Sequence, residues 1–166
     1  MFEISNVCPG CGLKMLSGEP GLDARFYASQ VCVALYWDLS AFTLSLQDSD
    51  FIHQLVVDAY AAQHTGTATK PITTAFSLFG LYLTFEQGYT GREVQLAHIK
   101  LGKRRVRWLK FDTPPATAAL TVRDALQKIA PGNYREPITN WGKAVWDLWL
   151  PEHRRVKGLL ETYYKG

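Results

Sequence analysis

Cys8-Pro9-Gly10-Cys11-Gly12 holds the residues of this 166-residue chain best suited to chemistry. Two thiolates three positions apart can close on one ion, and the Pro-Gly between them makes a tight turn. The glycines leave backbone N–H groups free to approach sulfur. Such a pair is half of a zinc site, and a full site needs two more ligands. The same spacing also serves redox chemistry, which normally sits between a strand and a helix, where the helix terminus lowers the thiol pKa. Here no strand pattern precedes Cys8. Two unliganded thiols are a third reading.

The elements that could supply the missing ligands are helices. From about Ala24 to Leu46, apolar residues Val31, Leu35, Leu39, Phe42 and Leu46 recur at spacings of three and four, as one helix face requires. Gln47-Asp48-Ser49-Asp50 is a polar break whose Ser or Asp can cap a second helix, Phe51 to His64. With Asp48 as the centre of this hairpin, Cys32 lies 16 residues before it and His64 lies 16 after. At 1.5 Å per residue both stand about 24 Å from the turn, level with each other where the N-terminal arm enters. Cys8, Cys11, Cys32 and His64 therefore predict a Cys₃His site holding one structural Zn²⁺ and pinning the arm to the helices. His53 is excluded, about 16 Å along the helix from His64, and Asp58 is about 9 Å away on another face. Taken singly, Cys32 reads equally as a small buried hydrophobe, and His64 as a helix-terminal histidine meeting the last carbonyls.

The remainder continues the helical pattern. A third helix starts near Pro71 and stops near Gly88, a weaker one spans Arg92 to Leu101, and the segment 102–115 has no clear reading. Thr121 with Asp124 resembles a capping box opening a short helix to about Ile129. Trp141, Val145, Leu148 and Trp149 mark another, which Pro151 kinks or restarts toward Tyr163. The expectation is an all-α, single-domain antiparallel bundle of five to seven helices. Its first 20 residues form an irregular, zinc-knuckle-like arm, and residues 21–166 form the bundle. Hydrophobic residues at 47% and aromatic residues at 13% exclude disorder of the whole, and three cysteines are too few for a disulfide scaffold. The longest uncharged stretch, Pro71 to Phe85, falls short of the ~17–25 residues of a spanning helix. With no export signal and an odd cysteine count, the expected compartment is the cytoplasm, with no membrane partner. The oligomeric state stays open.

The combination of CPGCG, a cysteine near the start of a long helix, and the segment VDAYAAQH (Val57 to His64) resembles an uncharacterised bacterial domain family of about this length. That family's pattern includes a histidine ahead of the VDAY segment, matched by His53. It also includes a tryptophan-rich helix followed by histidine, matched by Trp146, Trp149 and His153. Where the family carries paired histidines near the C-terminus, this chain has Glu152-His153. The family has no established activity, so the resemblance implies a fold and a site but no reaction.

Two further functional readings stand beside the structural metal. His53, Asp58 and His153 could converge between helices as a catalytic metal site or base, by analogy with the histidine-metal bundles of the DinB-like kind, whose three-histidine spacing is not reproduced. The plainer alternative is a structural hydrogen-bond network. Asp58 sits among apolar neighbours and needs a partner when buried; an Arg or Lys from another helix would serve. The second reading rests on Lys100, Lys103, Arg104, Arg105, Arg107 and Lys110, which hold six of the 18 basic residues. With Trp108 and Phe111 interleaved, the run could bind nucleic acid or another anionic partner, or form a solvated face over two buried aromatics.

Overall fold

The computed structural model describes residues 6–15, 23, 26–114 and 116–164. Among them the chain is all-α, a bundle of seven helices with a small hairpin at the front. The hairpin pairs β1 (Asn6–Val7) with β2 (Lys14–Met15), antiparallel. The helices are α1 (Gln30–Ser45), α2 (His53–Gln63), α3 (Pro71–Gln87), α4 (Gly91–Gly102), α5 (Val122–Lys128), α6 (Arg135–Leu148) and α7 (His153–Tyr163).

Helix α2 is the axis of the molecule, packing against α1, α3, α4 and α6. Eight of its eleven residues are buried, as expected for a helix surrounded by protein. Ala59, Ala61 and Ala62 keep its girth small enough for neighbours to close in. Gly80 of α3 comes closest: a Cβ there would stand 1.9 Å from a carboxyl oxygen of Asp58. Around this axis Trp141, Trp146 and Trp149, all fully buried, fill the space on the α6 side.

Local chemistry sets the boundaries. Helix α1 begins at Gln30 rather than near Ala24. Ala24 and Arg25 lie outside the described residues, but Phe26 to Ala28 bend, and Ser29 caps the helix by accepting from the Cys32 amide at 3.2 Å. At the α1–α2 turn the Asp48 carboxylate accepts from the amides of Asp50 and Ile52 and from Arg135 at 2.7 Å. Helix α4 is firmer than its sequence suggests, because Thr90 and Glu93 exchange both bonds of a capping box. At α5 the Asp124 carboxylate takes the Thr121 amide at 2.7 Å. Pro151 lies in a 3-10 turn, Leu150–Glu152, that separates α6 from α7.

Candidate metal centre

The hairpin builds the first half of the site. The Cys8 amide donates to the Leu13 carbonyl at 2.9 Å, and the Gly12 amide donates to the Cys8 carbonyl at 2.8 Å, so both sulfurs sit inside one tight turn. Gly12 occupies the left-handed region at φ 76°, where a side chain would be strained. Gly10 is needed for another reason. A Cβ there would lie 2.3 Å from the Tyr27 carbonyl oxygen and 2.6 Å from the His64 ring.

The helices build the second half. Cys32 stands in the first turn of α1, where the positive end of the helix favours negative charge. His64 is the residue that ends α2, and its carbonyl accepts from the Tyr27 amide at 3.0 Å. The four residues are 0–2% exposed, and their ligand atoms all lie within 4.8 Å of one another. Cys11 Sγ is 3.7 Å from Cys32 Sγ, and Cys32 Sγ is 3.3 Å from His64 Nε2. Around a tetrahedral zinc, with the usual bond lengths, two sulfurs stand about 3.8 Å apart and a sulfur and a nitrogen about 3.6 Å. The buried Cys₃His group could therefore hold a metal ion.

Its surroundings orient the donors. His64 Nδ1 lies 2.8 Å from the Tyr60 carbonyl, and a carbonyl only accepts, so Nδ1 carries the proton and Nε2 presents a lone pair to the sulfurs. Ligating histidines are commonly held in this way. The Tyr60 hydroxyl donates to Cys32 Sγ at 3.3 Å, while its ring stacks on His64 at 3.9 Å and on Tyr36 at 4.2 Å. Burial pushes the phenol pKa up, and the neighbouring sulfur raises it further. Hydrogen bonds from Cys11 and Cys32 hold the Cys8 thiol far below its ordinary value. Bonding to Cys32 and Cys8, with burial, pushes Cys11 far above. For Cys32 the Cys11 bond lowers the pKa, but the Cys8 contact and burial outweigh it and push it up to about 12. Three buried sulfurs thus share negative charge grudgingly, a conflict that a divalent cation removes by deprotonating coordinating thiols outright.

His53, Asp58 and His153 do not share a site. His53 is half-buried, its Nδ1 2.8 Å from Thr43 Oγ1, and burial pushes its pKa down. Asp58 faces Gly80 between α2 and α3. Its partner is no Arg or Lys but Gln54, whose Nε2 donates to Oδ1 at 3.1 Å. Burial pushes the carboxyl well above the usual carboxylate range. His153 stacks on Trp146 at 3.6 Å and donates from Nε2 to the Trp146 carbonyl at 2.7 Å. Among the described residues the Cys₃His group is the one cluster of three or more such donors. The convergence fails because each side chain takes a partner on its own face of the bundle. Sequence reasoning passed over His98, which lies within 3.4 Å of Gln54 Nε2 and joins the Asp58 network; burial pushes its pKa down.

The basic run is split in two. Lys103, Arg104, Arg105 and Arg107 are exposed, but the aromatics that follow them turn inward. Trp108 packs edge-on against Phe76, Phe79 and Tyr163. Phe111 is buried, with the Arg155 guanidinium over its ring at 4.2 Å. Lys100 lies over Tyr164, and Lys110 donates to the Thr67 carbonyl.

No described helix is long and apolar enough to cross a membrane. No curated protein and no solved structure matches the chain. The model of a family described as "Family of unknown function (DUF5946)" matches residues 6–150. That span holds all four members of the buried cluster, and the chain belongs to that family.

Proposed function

We propose that this is a zinc-binding helical protein whose single Zn²⁺, held by Cys8, Cys11, Cys32 and His64, is structural. The observation that carries the reading is the completeness of the donor set: four buried ligand atoms within 4.8 Å of one another. Four protein ligands leave no position for water or substrate, the mark of a structural site. Three sulfurs and one imidazole are a soft set that suits zinc. The ion would fasten the hairpin to the start of α1 and the end of α2. Three free thiols of odd number fit a reducing compartment such as the cytoplasm.

Elemental analysis of purified protein is expected to give one zinc per chain, and Cys11→Ser is expected to lose it. Apparent binding energies of structural zinc reach about 10–16 kcal/mol, as large as the stability of a whole domain. Chelation therefore loosens the hairpin, visible as a lower melting temperature. A Cys11→Ser variant that keeps a full equivalent of zinc and the parent melting temperature rejects the proposal.

A further inference from the structure

Helix α7 opens on His153-Arg154-Arg155-Val156-Lys157, which puts three cations at the positive end of a helix, where the dipole disfavours them. Arg155 has an outlet. It pairs with Glu152 at 3.2 Å, donates to the Lys110 carbonyl at 2.9 Å and covers the Phe111 ring. Arg154 and Lys157 have none. Both are exposed, and among the described residues neither takes a hydrogen-bond or ion-pair partner. Three positions apart, they are neighbours on one helix face, so each also repels the other.

Both line a cleft of 470 Å³ between α7 and the C-terminal end of α3, within the roughly 300–1,000 Å³ of small-molecule sites. Glu86 stands on the α3 wall. Its Oε1 accepts from the buried Trp146 indole at 2.8 Å, which fixes the carboxylate and leaves Oε2 for another donor. Glu86 is exposed, yet it pairs with neither Arg154 nor Lys157. Opposite charges thus share one cleft without touching. The remaining walls are flat or neutral. His153 lays one face on Trp146 at 3.6 Å and commits Nε2 to the Trp146 carbonyl, so its other face is left for an occupant. The Tyr82 hydroxyl accepts from Gln87 at 3.4 Å and keeps its own proton to donate.

We propose that this cleft binds a free α-amino acid with an aromatic side chain, its carboxylate on Arg154 and Lys157 and its ammonium on Glu86. A simple anion would use the two cations but be repelled by Glu86, and a simple cation would meet the reverse. The two charges of an α-amino acid are one carbon apart, which suits groups too distant to pair yet facing one cleft. The positive end of α7 favours the carboxylate further. The aromatic side chain rests on the uncovered face of His153 and on Tyr82, in the offset or edge-on contacts that such rings prefer.

The probe is L-phenylalanine, titrated into isotope-labelled protein and followed through the Trp146 indole N–H signal, whose proton Glu86 holds. The expected result is a saturable shift. Hydrocinnamate, which lacks the ammonium, and phenethylamine, which lacks the carboxylate, are each expected to bind at least about tenfold more weakly, as loss of a charge-assisted bond implies. Glu86→Gln keeps an acceptor for Trp146; it is expected to weaken L-phenylalanine by a similar factor and to spare hydrocinnamate. Replacing Arg154 and Lys157 together by Gln is expected to weaken L-phenylalanine and spare phenethylamine. All three positions are exposed, so the substitutions leave the core untouched. No saturation by about 10 mM, beyond the range of weak specific sites, overturns the proposal. Hydrocinnamate or inorganic phosphate matching L-phenylalanine overturns it as well, because the cleft would then be a plain anion patch. Equal losses of L-phenylalanine and hydrocinnamate in Glu86→Gln would mean a collapsed cleft, and count against it too.

Discussion

Tyr60 touches His64 twice, by stacking its ring and by accepting from Nδ1 through its carbonyl, and sends its hydroxyl to the Cys32 sulfur that faces Nε2. One residue thus fixes the tautomer, the ring plane and the charge partner of the imidazole. The relation depends only on the i, i+4 spacing of α2 and on α1 lying alongside.

Tyr60→Phe keeps the stacking and the carbonyl but removes the bond to Cys32. Loss of such an outer partner typically costs 10–100-fold in metal affinity. The variant is expected to retain one zinc and to release it to a competing chelator at correspondingly lower concentration. Unchanged competition would show that the hydroxyl is idle.

Gly80→Ala separates packing from propensity. Alanine favours a helix interior by about 1 kcal/mol, yet its methyl would collide with Asp58, and overpacking costs about 1–3 kcal/mol. A net loss of stability is expected in denaturant titration. Combining it with Asp58→Ala should cost less than the two losses added, since the sites touch.

Asp58 and His98 pull stability in opposite directions with pH. The folded pKa of Asp58 is raised, so its contribution is complete below the ordinary carboxylate value and is lost as pH rises toward the folded value. The folded pKa of His98 is lowered, so its contribution is complete above the ordinary imidazole value and is lost as pH falls below it. Asp58→Asn removes the first effect alone. Its melting temperature is expected to climb from mildly acidic to neutral pH more steeply than that of the parent. Parallel curves would refute the assignment.

Replacing Lys103, Arg105 and Arg107 together by Ser is expected to leave stability within about 0.5 kcal/mol per site. Trp108→Ala, which empties a space bounded by Phe76, Phe79 and Tyr163, is expected to cost about 3 kcal/mol. Polyanion binding through the three cations would fall steeply with salt and leave Trp108 fluorescence unquenched. Quenching by a single-stranded oligonucleotide would mean that the ring can leave its seat.

Much of this was legible in the chain because it rests on rise and period. Level arithmetic places Cys32 and His64 together, and apolar spacing finds α1, α2, α3 and α6. The hairpin is invisible to sequence period because strands of two residues, Asn6–Val7 and Lys14–Met15, carry none. Helix α1 starts later than apolar spacing suggests, because that spacing does not register the bend at Phe26–Ala28 or the bond between Tyr27 and His64. Expecting a cation beside Asp58 overlooked the alternative of a protonated acid held by Gln54. That His53 and His153 are apart follows from which helix faces meet, and a one-dimensional pattern does not encode this.

The donors are spread unevenly: two within one turn, a third 21 positions on, and the last 32 beyond that. An emerging polypeptide offers only a pair of sulfurs at first, and a nitrogen joins them once α2 has left the ribosome. Capture of the proposed ion would thereby require synthesis of the entire first helical hairpin, and a product cut short before His64 would lack the fourth donor.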